Sequence, residues 1–111
     1  MRAETLKGHL DGLLLASLDA GPRHGYAIME ALRAGSGGQF DLPTGTIYPA
    51  LRRLERAGLV HGTWAEDGRR RRVYELTAAG RRALTAERGP WLAFAAAVTA
   101  LLEPAARPVT P

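Results

Sequence analysis

The stretch Thr44-Gly-Thr-Ile-Tyr-Pro-Ala-Leu-Arg-Arg-Leu-Glu-Arg-Ala-Gly-Leu-Val60, followed after a short apolar run by Arg69-Arg-Arg-Arg72, decides how this chain is read. Ile47, Ala50, Leu51, Leu54 and Ala57 recur on the 3.6-residue period of an amphipathic helix. The other face carries Thr46, Tyr48, Pro49, Arg52, Arg53 and Arg56. Arginine is the commonest reader of guanine in the major groove, and threonine and tyrosine hydroxyls hold phosphate oxygens. Gly58 supplies a helix stop, and Leu59-Val60 begins an extended segment. The pattern predicts a nucleic-acid recognition helix joined to a basic wing.

Working outward toward the N-terminus, Leu6, Leu10, Leu13, Leu14 and Leu18 mark a first amphipathic helix over residues 5–18, ended by Asp19-Ala-Gly-Pro22. A second helix is expected from His24 to Arg33, with Ile28 and Leu32 inward and the glycine-rich Gly35-Ser-Gly-Gly38 after it. Phe40 and Leu42 are placed to staple the entry to the recognition helix, and Asp41 or Thr44 to cap it, with Pro43 at the tolerated start position. Tyr26 is expected to anchor the second helix in the core. His24 suits either a helix cap or a phosphate contact.

Toward the C-terminus, Leu59 to Trp64 and Val73 to Leu76 flank a polar loop containing Asp67-Gly68, a strand-turn-strand signal. Trp64 and Tyr74 are expected to pack the base of this wing. Three helices followed by a hairpin is the winged helix-turn-helix order, so the fold class read here is mainly α with a small β-hairpin. Thr77 is a good N-cap, and a fourth helix should run over residues 78–102. Leu84, Trp91 and Val98 repeat by sevens along it, with Phe94, Leu101 and Leu102 near the same stripe, which suits pairing with a second helix. Gly89-Pro90 falls inside it, and an internal proline is expected to bend or split the helix. The organisation expected is a DNA-binding domain at 1–77, a dimerisation helix at 78–102 and a disordered, proline-rich tail at 103–111. The homodimer interface is assigned to Leu10, Leu14, Leu84, Trp91, Leu92, Phe94, Ala95, Val98, Leu101 and Leu102.

The chain has 111 residues, one domain by size, with 46% hydrophobic residues and a net charge of +4. That charge is concentrated: residues 44–82 hold nine arginines against four carboxylates, leaving the rest of the chain near zero. A basic patch on a predicted helix and wing is the footprint of a nucleic-acid binder. There is no cysteine, hence no disulfide framework and no thiolate zinc site. The N-terminus lacks the apolar core of a signal peptide and no run is long enough to span a membrane, so a cytoplasmic location is expected. His9, His24 and His61 lie on separate predicted elements, with no nucleophile-base or metal-ligand spacing. Neither catalysis nor a cofactor is expected.

These residues resemble the PadR-like transcriptional regulators, specifically the short type whose C-terminal part is a single dimerisation helix. The resemblance covers about residues 5–102 and rests on Leu6-Lys-Gly8, Gly21-Pro-Arg-His-Gly-Tyr-Ala-Ile28, the stretch from Gly45 to Val60, Trp64, Arg70-Arg-Arg-Val-Tyr-Glu-Leu-Thr77 and Gly80. It implies a dimeric repressor on a pseudo-palindromic double-stranded DNA operator, released in many members by a small aromatic or cationic compound. Carried onto this chain, the DNA contacts would be His24, Thr44, Thr46, Tyr48, Pro49, Arg52, Arg53, Arg69, Arg70, Arg71 and Arg72. Tyr48 would hold a phosphate and Arg52 or Arg53 would read a base. Trp91, with Phe94, lies where some short-type members resemble one another in stacking planar ligands. On an apolar helical stripe Trp91 reads first as dimer core, ahead of a ligand platform, since buried aromatics dominate interfaces, and Pro90 directly before it departs from the family pattern. A winged helix that binds nucleic acid non-specifically, or binds a protein partner, is the rival reading.

Overall fold

Helices and short strands alternate in the order α1 (Leu10–Ser17), β1 (Arg23–His24), α2 (Gly25–Gly35), α3 (Thr44–Arg56), β2 (Val60–Trp64), β3 (Arg72–Leu76) and α4 (Ala78–Leu102). They are taken from a computed structural model that describes residues 8–65 and 71–104. The predicted start of the first helix at residues 5–7, Leu6 included, lies outside the described residues, as do Arg69, Arg70 and most of the tail.

The wing is a three-stranded antiparallel sheet in the order β1-β3-β2, one strand more than the predicted hairpin. Val60 pairs with Leu76 and Trp64 with Arg72 along the hairpin, while Arg23 and His24 pair with Tyr74 and Val73 on the other edge. A two-residue strand is too short to show alternation, so the sequence held no periodic signal for β1. It fixes the start of α2 onto the wing, with His24 then serving as the helix cap: its Nδ1 accepts a hydrogen bond from the Ala27 amide at 3.3 Å.

One core holds the head together. Leu14, Leu15 and Leu18 at α1 meet Ile28 and Leu32 of α2, Ile47, Ala50, Leu51 and Leu54 of α3, Val60, Tyr74 and Leu76 of the sheet, and Leu84 of α4. All are buried, and truncating one of the large members to alanine costs about 2–5 kcal/mol in such settings. Tyr74 is part of this core as expected. Tyr26 is not: it is 67% exposed on the solvent side of α2, because Gly25, Ile28 and Leu32 define the inward face. Trp64 is also exposed: alternation puts it on the same face of β2 as buried Val60 and Gly62, but it stands at the strand's end, where its ring lies 5.4 Å from the Arg72 guanidinium.

The α3 terminus sets up everything downstream. Gly58 adopts φ +77°, its amide donates to the Glu55 carbonyl, and the Leu59 amide donates to the Leu54 carbonyl, so α3 ends in a Schellman motif. Thr77 then ties this turn to α4. Its hydroxyl donates to the Gly58 carbonyl at 2.6 Å and accepts from the Gly80 amide at 3.0 Å, while its own amide donates to the Leu59 carbonyl at 3.1 Å. A side chain on Gly80 would collide with the Leu59 carbonyl oxygen, which explains the glycine there.

The fourth helix runs unbroken through Pro90. Proline normally excludes the α conformation of the residue before it by a clash with that residue's Cβ. Gly89 has no Cβ, and Ala86, whose carbonyl loses its amide partner to Pro90, is exposed. The helix changes character along its length: Gly80 and Leu84 are buried in the head, whereas from Thr85 onward only Ala95 and Val98 are even half-buried.

Candidate nucleic-acid interface

With Ile47, Ala50, Leu51 and Leu54 turned into the core, the face of α3 directly opposite is formed by Gly45, Pro49, Arg52 and Arg56, all exposed. This stripe has no bulky apolar side chain, and its two arginines have no ion-pair partner among the described residues. The start of α3 has no side-chain cap, contrary to the expectation for Asp41 or Thr44. Pro43 is the N-cap instead, its carbonyl accepting from the amides of Thr46 and Ile47 at 3.0 and 3.1 Å. The amides of Thr44 and Gly45, both exposed residues, thus remain at the positive end of the helix, where an anion is favoured.

The other predicted contacts on α3 sit to either side of that stripe. Tyr48 is half-buried against the start of α2, so close that a Cβ on Gly25 would lie 2.5 Å from its ring and hydroxyl. Thr46 is half-buried and Thr44 exposed. Arg53 reaches across to α1, where its guanidinium donates to the Asp11 carboxylate.

On the wing, Arg72 has a different task from the one expected of it. Its Nη2 donates to Glu55 Oε2 of α3 at 2.6 Å and to the Gly62 carbonyl at 2.9 Å. Glu55 Oε2 also accepts from the Gly62 amide at 3.3 Å. The guanidinium lies 5.4 Å from the centre of the Trp64 ring and 6.0 Å from that of Tyr74. A side chain on Gly62 would come within 2.6 Å of it. Arg72 therefore pins the hairpin to the recognition helix through its Nη2. Arg71 is half-buried at the loop end of the hairpin, its carbonyl accepting from the Ala65 amide at 2.7 Å. On the solvent side of α2, Arg33 donates to Glu30, holding that carboxyl below its usual range and raising the guanidinium.

A second feature lies between α1, Phe40 and α4: an apolar pocket of about 420 Å³ lined by His9, Gly12, Leu13, Ala16, Phe40, Leu84, Glu87, Arg88, Trp91 and Leu92. Trp91 forms one wall, its ring 4.9 Å from that of His9 and 5.8 Å from that of Phe94. Arg88 is held aside by Asp19 at 3.2 Å, whereas the Glu87 carboxylate lies over Gly12. Leu92 of the pocket wall, and Phe94, Leu101 and Leu102 further along α4, are 59%, 60%, 85% and 78% exposed. Leu14 and Leu84, assigned from the sequence to a dimer interface, are buried in the chain's own head and unavailable to a partner, and Leu10 is half-buried against the same core.

Residues 14–86 match the transcriptional regulator PadR-like family, which spans both the α3 stripe and the wing. The chain belongs to that family. Among curated proteins it is 45% identical over 67 residues to the transcriptional regulator Rv3488 of Mycobacterium tuberculosis, a match covering 60% of this chain and 50% of that protein. Among solved structures it is similar to a PadR-like transcriptional regulator from Bacillus cereus, with a TM-score of 0.78 and 27% identity over 93% of this chain and all of the other. A PadR family regulator from Eggerthella lenta gives a TM-score of 0.72 at 33% identity, covering 92% of this chain and 88% of that one. The PadR-like winged-helix fold thus extends along α4, and the protein is a transcriptional regulator of this family. No helix among the described residues is long and apolar enough to cross a membrane.

Sequence reasoning placed Thr46, Tyr48, Pro49, Arg52 and Arg53 on one helix, and the PadR-like structure keeps them there but sorts them. Arg56 was visible on the exposed face yet not selected; its spacing of four from Arg52 was the available signal. The ties from Arg53 to Asp11 and from Arg72 to Glu55 join residues 42 and 17 positions apart, beyond the reach of local periodicity.

Proposed function

We propose that this PadR-like protein acts in the cytoplasm as a homodimeric repressor that binds a pseudo-palindromic operator. The observation that carries the reading is the outward stripe Gly45, Pro49, Arg52 and Arg56 beside the open amides of Thr44 and Gly45. Arg52 reads a base edge in the major groove, and Gly45 and Pro49 allow close approach of the backbone to the duplex. Thr44 and Thr46 hold phosphate oxygens at the helix start, with Tyr48 and His24 at the α2 edge and Arg69 to Arg71 on the wing following the flanking backbone. Residues 1–77 form the DNA-binding part and 78–102 the dimerisation helix.

The dimer forms on the outer half of α4 through Trp91, Leu92, Phe94, Ala95, Val98, Leu101 and Leu102. Several of these are large, apolar and exposed on one chain, a surface a monomer rarely leaves open. A two-fold axis there sets two recognition helices ~34 Å apart in successive major grooves. The pocket beside Trp91 receives a small planar aromatic effector, which lowers DNA affinity by binding the free arrangement of the dimer better than the DNA-bound one.

Fluorescence anisotropy with the duplex upstream of the encoding gene, against a scrambled duplex at ~150 mM salt, tests the reading. Binding at least ~10³-fold tighter to the upstream DNA is expected. Equal affinity, with a steep salt dependence for both, would instead identify a non-specific nucleic-acid binder.

A further inference from the structure

The α1 helix is clamped between α4 on one side and α3 on the other. His9, Gly12, Leu13 and Ala16 recur on its pocket-facing side, while Asp11 projects from another side, toward the recognition helix. There the Asp11 carboxylate accepts from Arg53 Nη2. Both side chains are about half-exposed, so the pair lies on the surface of the head. At 3.6 residues per turn Arg53 stands roughly 100° round the α3 axis from Arg52. It is thus displaced from the Gly45, Pro49, Arg52 and Arg56 stripe toward α1. A carboxylate beside a surface that must approach phosphates repels them, yet here it also holds one of the arginines of α3.

We propose that Asp11 is a positioning residue of the DNA-binding surface, a latch that holds Arg53 on the α1 flank and away from the duplex. The latch rests on the reading of α3 as the recognition helix. Its consequence is specific: of two adjacent arginines, only Arg52 is available to DNA, and Arg53 becomes an additional phosphate contact when the latch opens. An exposed ion pair is weak, so opening it has a modest effect on affinity.

Three variants of the full chain separate this from simpler causes: Asp11→Asn, Arg53→Gln and the two combined. Affinities are measured by anisotropy on a duplex selected from genomic fragments by the wild-type protein and on its scrambled counterpart. Asp11→Asn should tighten binding to both duplexes by about 2- to 5-fold. Arg53→Gln alone should stay within about 2-fold of wild type, and the gain from Asp11→Asn should shrink in the Arg53→Gln background to what removing the carboxylate charge alone supplies. A gain of equal size in both backgrounds would mean that only a negative charge had been removed, and would overturn the latch. Weaker binding by Asp11→Asn would overturn it too, since Asp11 would then be aiming Arg53 at DNA. A DNA-free readout keeps the two readings apart. Phenylglyoxal labelling followed by peptide mass spectrometry should show Arg53 modified about 3-fold faster in Asp11→Asn, with Arg52 unchanged. Should the wild-type protein select no duplex, the operator reading fails and the Arg53 labelling ratio alone decides the latch; an unchanged ratio overturns it.

Discussion

The head and the outer half of α4 place their apolar side chains in opposite ways. In the head, leucines and isoleucines from α1, α2, α3, the sheet and the first turns of α4 converge on one another and are closed off from solvent. Past Leu84 the same kinds of side chain stand in the open, up to 85% exposed at Leu101. Both segments look amphipathic along the chain; what differs is whether the fold supplies a covering surface. The head is complete within one chain, whereas the outer helix has an apolar face that only another surface can cover. On the proposed reading, stability and DNA binding belong to the first region and assembly to the second, with Thr77 and Gly80 as the joint between them.

The contrast is most easily broken by charging the outer helix. Phe94→Asp combined with Val98→Asp should turn a dimer into a monomer by sedimentation velocity and weaken operator binding at least ~100-fold, about 2.7 kcal/mol. The far-UV spectrum of the head should persist. Loss of the whole fold would show that the two regions are not separable. Gly80→Ala tests the joint: the collision with the Leu59 carbonyl should cost about 2 kcal/mol and lower Tm by roughly 8–16 °C in a thermal melt. A melt within about 2 °C of wild type would mean that the α3–β2 turn yields freely.

Smaller effects should resolve the DNA face itself. Arg52→Ala should cost about 1–3 kcal/mol on the preferred operator and relax preference at one base-pair position, measured by anisotropy on a set of point-substituted duplexes. Arg56→Ala should weaken all duplexes alike and flatten the salt slope by about one unit. Smallest is Glu55→Gln, which keeps the shape of the Arg72 clamp but removes its charge, and should lower stability by about 1 kcal/mol in urea unfolding. A sequence-dependent loss from Arg56→Ala and a uniform one from Arg52→Ala would exchange their roles.

Much of the head was legible in the sequence because its signals are local. The α3 stripe, the Gly58 stop, the Thr77 cap and the span of α4 each depend on residues within a few positions of one another. What was not legible depends on distant partners or on compensation. β1 exists because β3 is there to pair with it, and Arg72 faces inward because Glu55 and Gly62 accept its donors. Tyr26, an aromatic residue beside apolar neighbours, reads as core until the inward face of α2 is fixed by Gly25, Ile28 and Leu32. Pro90 reads as a break until Gly89 removes the clash that makes it one. Within the candidate site, the arginines were identifiable but not their division of labour, since Asp11 lies on a different helix from Arg53.

Hydroxyl-radical footprinting of the wild-type protein on its selected duplex tests the central claim most directly. A two-fold dimer reading DNA with α3 should protect two half-sites related by the pseudo-palindrome and centred about 10 bp, or a multiple of one helical turn, apart. Protection of a single half-site, or protection without a fixed register, would contradict it.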